Sequence, residues 1–191
     1  MKVNVDSNTK LLGVVGNPVK HSLSPLFQNY LINKYKLNMV YLPFSVSENS
    51  FEDFLMTVKS VENFVGLYIT LPFKERAFKL CDELSDEAKK IGAVNTIHFK
   101  NGLIYGYNTD VYGVAASIRD SLQIHILCNK NVLILGAGGA ARAVLYACKL
   151  LGAKSVILVN RTLVKATTLK EYSERELNLQ LITKPFDECN N

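Results

Sequence analysis

A glycine-rich segment in the last third of the chain has the spacing needed to bind a dinucleotide. Residues 136–141 read GAGGAA and follow an apolar run that predicts a buried strand. In this GxGxxA pattern the first glycine permits a tight turn, the second lets the backbone approach a pyrophosphate, and the final alanine allows close packing of helix and strand. The N–H groups at the start of the next helix favour an anion. The predicted cofactor loop comprises Gly136, Ala137, Gly138, Gly139, Ala140 and Ala141. The alternative is a glycine turn that closes an ordinary Rossmann-like strand.

The end of the next predicted strand indicates which dinucleotide is bound. An acidic residue there accepts the ribose 2′-hydroxyl of NAD, whereas an arginine accommodates the 2′-phosphate of NADP. This chain has Asn160, Arg161 and Thr162 at that position, with Lys165 one helical turn later and no carboxylate in the stretch. Because Arg161 can pair with a phosphate through two hydrogen bonds, the four residues predict NADP as the cofactor. The alternative for Arg161 is a solvated side chain at a helix start.

Four segments of the first 110 residues are polar where a scaffold alone would not need them. Ser22 and Ser24 lie near a predicted helix start, where hydroxyls and N–H groups can hold a carboxylate. Lys74 comes just after a strand, Asn95 lies in the segment GAVNT, and Asp110 closes the segment GYNTD. Each also has an ordinary explanation. Ser24 can be a helix cap and Lys74 a solvated lysine. Asn95 can be a turn residue, and Asp110 an acid that complements a helix dipole.

These residues are separated by alternating strand and helix patterns. Ser24 and Pro25 predict a helix with Ser24 as its N-cap and with one apolar face, formed by Leu26, Phe27, Tyr30 and Leu31. A second helix over residues 50–60 directs Phe51, Phe54, Leu55 and Val58 inward. Predicted strands cover residues 11–16, 39–46, 64–71, 93–99 and 103–107, the last two joined by an Asn-Gly hairpin turn. Further helices are predicted over residues 73–81, 85–91 and 109–122.

Residues 123–130 interrupt this pattern and predict a domain boundary. Beyond them, strands at 131–135, 155–160 and 179–183 alternate with helices at 138–151 and 162–176, which predicts a parallel βαβαβ unit. The fold class is therefore α/β, with an N-terminal α/β substrate and catalytic lobe over residues 1–125. The first half of a Rossmann NADP-binding domain follows over residues 126–191.

Composition narrows the classes of function. The chain of 191 residues has 22 basic and 17 acidic side chains, a net charge of +5, and its basic residues are scattered. A nucleic-acid surface would concentrate them in a stripe, so small anionic ligands are the better expectation. The four cysteines lack metal-ligand spacing, which predicts no metal site and reduced thiols. Without a long apolar run or a signal-peptide pattern, a cytoplasmic protein with no membrane partner is expected.

Six segments together, in this order, resemble the shikimate dehydrogenase family: GNPVKHSLSP, TLPFK, GAVNT, GYNTD, GAGGAA and NRT. The resemblance implies reversible NADPH-dependent reduction of 3-dehydroshikimate to shikimate, a step towards chorismate and the aromatic amino acids. By that resemblance Ser22 and Ser24 hold the substrate carboxylate. Thr70, Asn95 and Asp110 contact its hydroxyls, and Lys74 with Asp110 forms the catalytic pair.

The chain departs from the family pattern in three places. Val111 stands where the family usually has glycine, and Tyr68 stands where asparagine is common. The predicted strands stop after the first half of a Rossmann domain, so on the order of 80 residues of the family's length are expected to be missing. Two alternatives stay open, a quinate/shikimate dehydrogenase and a truncated non-catalytic NADP-binding remnant. The oligomeric state is also open, with a homodimer as one expectation.

Overall fold

The computed structural model describes residues 5–123, 125–138 and 140–186, and it divides into two compact units, Met1–Asn108 and Thr109–Asn191. This division precedes the interrupted segment 123–130, because the helix α5 (Asp110–Leu122) packs against α6 (Ala141–Leu150) within the second unit. The assignment of residues 1–125 and 126–191 as functional domains stays a prediction.

The first unit is built on a six-stranded mixed sheet with the order β2-β1-β3-β5-β6-β4. β1 runs parallel to both β2 and β3, β5 is antiparallel to β3 and β6, and β4 is parallel to β6. The turn between β5 and β6 has Asn101 at φ 53° and Gly102 at φ 73°, which confirms the predicted Asn-Gly hairpin. The strands are β1 (Lys10–Gly16), β2 (Met39–Ser45), β3 (Phe64–Ile69), β4 (Glu83–Leu84), β5 (Thr96–Lys100) and β6 (Leu103–Tyr107).

Helices cover this sheet and enclose its core. They are α1 (Ser24–Lys34), α2 (Phe51–Lys59), α3 (Lys74–Leu80) and α4 (Asp86–Ile91), with a 3₁₀ turn over Glu48–Ser50. Phe51, Leu55 and Val58 of α2 are buried against β3 and β5, and Phe54 packs at the edge of the same cluster. The inward face predicted for α2 is therefore confirmed.

The structure shows where the apolar face of α1 lies and corrects the prediction for its N-cap. Leu26, Phe27 and Tyr30 are 72%, 57% and 52% exposed, because α1 packs on the sheet through the opposite side, where Ile32 is buried. Ser24 is the first helical residue and Leu23 occupies the N-cap position. The N–H of Ser24 donates instead to the Ser22 hydroxyl oxygen at 3.3 Å.

Asn29 explains why α1 presents that side to the sheet. Its side-chain oxygen accepts from the Tyr41 N–H at 3.0 Å, and its amide nitrogen donates to the Tyr41 carbonyl at 2.8 Å. The same nitrogen lies 2.8 Å from the Pro25 carbonyl oxygen. One side chain thus bonds both backbone groups of a β2 residue and fixes α1 against the edge of the sheet.

Replacing Asn29 by alanine is expected to lower the free energy of unfolding by about 2–3 kcal/mol, because three partly buried hydrogen bonds are lost together. Urea denaturation followed by circular dichroism measures the change. Asn33→Ala is the matched control on the same helix, since it removes one exposed bond to the Asn29 carbonyl and should change stability by less than about 0.5 kcal/mol. Equal effects of the two substitutions would contradict the role of Asn29.

The second unit contains a three-stranded parallel sheet in the order β7-β8-β9. Its strands are β7 (Leu133–Leu135), β8 (Ser155–Val159) and β9 (Gln180–Lys184), joined through α6 and α7 (Leu163–Leu177). This alternation confirms the predicted βαβαβ unit and the α/β class. In the described part of the chain, every helix is too short or too polar to cross a membrane.

Candidate functional site

The glycine-rich loop joins β7 to α6 in the conformation that its residues permit. Gly136 has φ +99°, a left-handed conformation that favours glycine, and its N–H donates to the Val159 carbonyl at 2.8 Å. A Cβ built on Gly138 would meet no atom within 4 Å, so its backbone faces open space from which a ligand can approach. α6 begins at the buried Ala141, three residues later than predicted for the helix start. Gly139 lies outside the described residues.

Asn160 ties this loop to the end of β8. Its side-chain oxygen accepts from the Ala137 N–H at 3.0 Å, and its amide nitrogen donates to the Thr162 carbonyl at 2.7 Å. One amide therefore holds the glycine-rich loop beside the turn that carries Arg161. Sequence reasoning placed Asn160 among the cofactor residues but missed this bridging role, because no local pattern identifies a partner 23 residues away.

The loop and the turn enclose a cavity of about 550 Å³ at the carboxyl ends of the parallel strands. Arg161 and Lys165 lie in its wall and are both exposed, while its described lining contains no carboxylate. Phe186, just after β9, also lines the cavity and was not predicted, since the third strand has a weak pattern. Seven of the predicted cofactor residues line it: Gly136, Ala137, Gly138, Asn160, Arg161, Thr162 and Lys165. Ala140 and Ala141 lie at the start of α6, outside that lining.

This cavity has the features of a dinucleotide phosphate site. The open backbone at Gly138 leaves room for a pyrophosphate, and two exposed cations face the space where a ribose 2′-phosphate would lie. A carboxylate in that wall would repel such a phosphate. The residues present therefore fit the adenosine half of NADP.

In the first unit, two polar segments meet at the ends of β1 and β3. The Thr70 N–H donates to the Val15 carbonyl and the Asn17 N–H to the Leu71 carbonyl, both at 3.0 Å. A Cβ on Gly16 would overlap the Thr70 side-chain methyl, so this close approach requires glycine at position 16 as long as position 70 is threonine. The Asn17–Pro18 and Leu71–Pro72 peptide bonds are both cis. The two hydrogen bonds hold residues 16–25 and 70–74 side by side.

Asn95 joins the same region from the segment between α4 and β5, one residue before β5 begins. Its carbonyl accepts from the Ile69 N–H at 2.8 Å and its own N–H donates to the Tyr107 carbonyl at 3.0 Å, so its backbone is fixed from both sides. The Val94 N–H donates to the Lys74 carbonyl at 2.9 Å. The side chain of Asn95 is buried, and its oxygen accepts from the Thr96 hydroxyl at 2.8 Å.

Lys74 is the first residue of α3 and is half-buried. The preceding residue, Phe73, is fully buried and stacks on Phe51 with ring centroids 4.3 Å apart. Arg76 lies 5.5 Å from the centre of each of these rings and forms an ion pair with Glu52. The hydrogen bond from Arg76 lowers the pKa of Glu52 from its usual value. These contacts fix the start of α3 and hence the base of the Lys74 side chain.

The structure thus places Ser22, Ser24, Thr70, Lys74 and Asn95 in the first unit, on segments joined by the backbone hydrogen bonds described above. Asp110 opens α5 in the second unit and is half-buried. The described residues contain no group of three or more histidine, cysteine, aspartate or glutamate side chains that could hold a metal ion.

Comparisons with known proteins point to one family. The family model for the shikimate dehydrogenase substrate binding domain matches residues 14–97. The curated shikimate dehydrogenase (NADP(+)) of Aquifex aeolicus is 44% identical over 181 residues, which cover 95% of this chain and 64% of that protein. A crystal structure of the Aquifex aeolicus enzyme superposes with a TM-score of 0.85 at 44% identity, covering 94% of this chain and 64% of its own. The Thermus thermophilus enzyme, solved in complex with NADP(H) and shikimate, gives a TM-score of 0.79 at 33% identity, with 91% and 63% covered. The chain therefore spans somewhat less than two thirds of the length of these relatives.

Proposed function

We infer from these similarities that the chain belongs to the shikimate dehydrogenase family, and from that premise we propose that it takes part in the reversible NADPH-dependent reduction of 3-dehydroshikimate to shikimate. The observation that carries the proposal is the cavity of the second unit, where Arg161 and Lys165 lie beside an open glycine-rich loop. The polar segments joined at the ends of β1 and β3 support it from the first unit.

The cofactor is NADP. Arg161 and Lys165 would hold its 2′-phosphate, and the backbone at Gly138, just before α6, would hold its pyrophosphate. When bound, NADPH supplies the hydride for the reduction. Asn160 holds the glycine-rich loop beside the Arg161 turn. The residues for the pyrophosphate and those for the 2′-phosphate are therefore kept at a fixed distance from each other.

The substrate lies in the first unit. The hydroxyls of Ser22 and Ser24 hold its carboxylate, and Thr70 and Asn95 contact its ring hydroxyls. The buried position of Asn95 and its two backbone bonds supply the rigidity that a positioning residue needs. Quinate differs from shikimate by a saturated ring with an added hydroxyl on the carboxyl-bearing carbon, and it is the near alternative as substrate.

Lys74 and Asp110 form the catalytic pair. Reduction of a ketone builds negative charge on its oxygen, so a nearby proton donor lowers the barrier. The Lys74 ammonium stabilises that charge and supplies the proton, and becomes an amine. Asp110 orients the ammonium and a substrate hydroxyl. In the oxidative direction the amine takes the proton back.

Two measurements on the 191-residue chain test this proposal. Isothermal titration calorimetry should detect binding of NADPH and of shikimate, with NADPH preferred over NADH, and oxidation of NADPH should depend on 3-dehydroshikimate. Tight NADPH binding without turnover would support the non-catalytic remnant. If the chain binds neither NADPH nor shikimate, both the enzyme and the non-catalytic remnant are refuted. Turnover of quinate at a higher kcat/KM than shikimate in the oxidative direction would favour the near alternative.

Location and assembly belong to the same proposal. We place the protein in the cytoplasm, with a small-molecule substrate as its partner and no nucleic-acid or membrane partner. Within the described residues Cys81, Cys128 and Cys148 are free thiols, which is compatible with a reducing compartment. A homodimer is the assembly to test by light scattering.

A further inference from the structure

Two tyrosines lie on the α1 side of the first unit's sheet, outside the set of predicted site residues. Tyr41 of β2 and Tyr68 of β3 have ring centroids 6.1 Å apart with planes inclined at 52°. Their strands flank β1, where Leu12 pairs with Tyr41 and Val14 pairs with Tyr68. Tyr68 is 38% exposed and lies two residues before Thr70, which directly follows β3.

The Tyr41 hydroxyl is unusual for a buried polar group. The residue is only 2% exposed, and its hydroxyl has no hydrogen-bond partner of ordinary geometry among the described residues. Burial raises the pKa of Tyr41, Tyr68 raises it further, and the nearby Ser24 hydroxyl acts weakly in the opposite direction. Ser24 therefore lies near the Tyr41 hydroxyl without a hydrogen bond of ordinary geometry to it. An unsatisfied buried hydroxyl is costly, so its presence calls for an explanation.

The first turn of α1, which begins at Ser24, is tied to Tyr41. Asn29 bonds both the N–H and the carbonyl of Tyr41, and it lies little more than one helical turn after Ser24. The backbone of Tyr41 and the first turn of α1 are therefore held together by the same side chain. Ser24 is the first helical residue and not the N-cap, and its N–H donates to the Ser22 hydroxyl oxygen.

We propose that Tyr41 is a positioning residue for the carboxylate of the substrate: in the bound state its buried hydroxyl donates to the Ser24 oxygen, and the Ser24 hydroxyl donates to the carboxylate. This inference rests on the proposed function and adds a residue to its substrate site. Tyr68 packs beside Tyr41 and keeps the phenol ring in place.

The proposed arrangement satisfies every group in the chain of hydrogen bonds. A carboxylate accepts only, a serine hydroxyl accepts and donates, and a tyrosine hydroxyl donates into the serine oxygen. Successive hydrogen bonds polarise one another, so the Tyr41 donor makes Ser24 a stronger donor to an anion. The hydroxyl left unsatisfied in the free protein gains its partner when the ligand orders Ser24, which couples binding to relief of that cost.

The substitution Tyr41→Phe tests this role because it removes the hydroxyl and keeps the ring. We expect the Kd for shikimate to rise about fivefold to tenfold, as for one hydrogen bond in a network that ends on a charge. The Kd for methyl shikimate, whose ester carries no charge, should change by less than about twofold. The melting temperature should rise by about 2–4 °C, because an unsatisfied buried hydroxyl is removed. Weaker binding together with a more stable fold is a result that a purely structural role would not produce.

Tyr172→Phe is the matched control, since Tyr172 of α7 is the other described tyrosine whose buried hydroxyl has no partner. It should raise the melting temperature similarly and leave shikimate binding unchanged. The inference is overturned, while the proposed function stands, if Tyr41→Phe binds shikimate as the wild type does. It is also overturned if weaker binding is accompanied by a lower melting temperature. If the wild-type chain binds no shikimate, the proposed substrate site fails and this inference fails with it.

Discussion

Replacing Lys74 by alanine is expected to lower kcat for the reduction of 3-dehydroshikimate by about 10²–10⁴-fold, while the Kd for shikimate changes by less than about tenfold. The reason is that charge on the substrate oxygen develops only as the hydride is transferred, so a group that stabilises it acts mainly on the transition state. Stopped-flow measurement of NADPH oxidation gives kcat, and calorimetry gives the Kd independently.

Lys79→Ala is the matched control for this result. Lys79 lies on the same helix, is exposed, and should leave both quantities unchanged when its side chain is shortened. Lys74→Arg separates the two roles of the ammonium, because arginine keeps the charge but does not release a proton near neutral pH. Recovery of kcat by arginine would assign Lys74 a purely electrostatic role. A kcat unaffected by alanine would remove Lys74 from the chemistry.

Replacing Arg161 by alanine is expected to weaken NADPH binding on the order of 10- to 100-fold, with NADH binding changed by less than about threefold. Arg161 lies in the cavity wall, where only the 2′-phosphate distinguishes the two cofactors. Since the interaction involves charges that are partly in water, the preference for NADPH should also fall as the salt concentration rises. Calorimetric titration with each cofactor at two salt concentrations measures both effects.

Arg175→Ala provides the control for Arg161. Arg175 lies in the last turn of α7, is exposed, and pairs with Glu176, outside the cavity lining. Its removal should leave the ratio of the two cofactor affinities unchanged. An equal loss of NADPH and NADH binding in Arg161→Ala would show that Arg161 maintains the loop and does not select the cofactor. Lys165 would then be the remaining candidate for the 2′-phosphate.

Local sequence patterns predicted most of the elements. The apolar strand runs, the Asn-Gly turn and the inward face of α2 follow from the period of the side chains and from the conformations that Asn101 and Gly102 tolerate. The glycine-rich loop and the Arg161 turn were located for the same reason, because each motif has a fixed spacing. The two-residue strand β4 was not predicted, since its pairing with β6 depends on a distant partner.

The sequence was misleading where a polar side chain determines the packing. The apolar face of α1 with Leu26, Phe27 and Tyr30 is exposed, because the hydrogen bonds of Asn29 to Tyr41 hold the opposite side of the helix against the sheet. Ser24 resembled an N-cap, but Ser22 supplies the acceptor for its N–H. In both cases the deciding contact joins residues whose spacing has no recognised pattern.

The buried tyrosines and the bridging amide could not be predicted either. A tyrosine in a strand usually has its hydroxyl at the surface or bonded, and only the three-dimensional surroundings show that Tyr41 has neither. Asn160 likewise gains its partner Ala137 from a different loop. The hydrogen-bond partners of such polar groups depend on tertiary structure. The apolar periodicity that predicts helices and strands, in contrast, can be seen in the local sequence.

The close approach of Gly16 to Thr70 also constrains how the sequence can evolve. A methyl group at position 16 would occupy the space of the Thr70 side-chain methyl, while the Leu71 carbonyl at 3.2 Å leaves little room for the backbone to withdraw. An alanine at position 16 is therefore compatible only with a residue at position 70 that lacks that methyl, such as serine. Positions 16 and 70 are therefore sterically coupled, and a substitution at either one has to be judged together with the residue at the other.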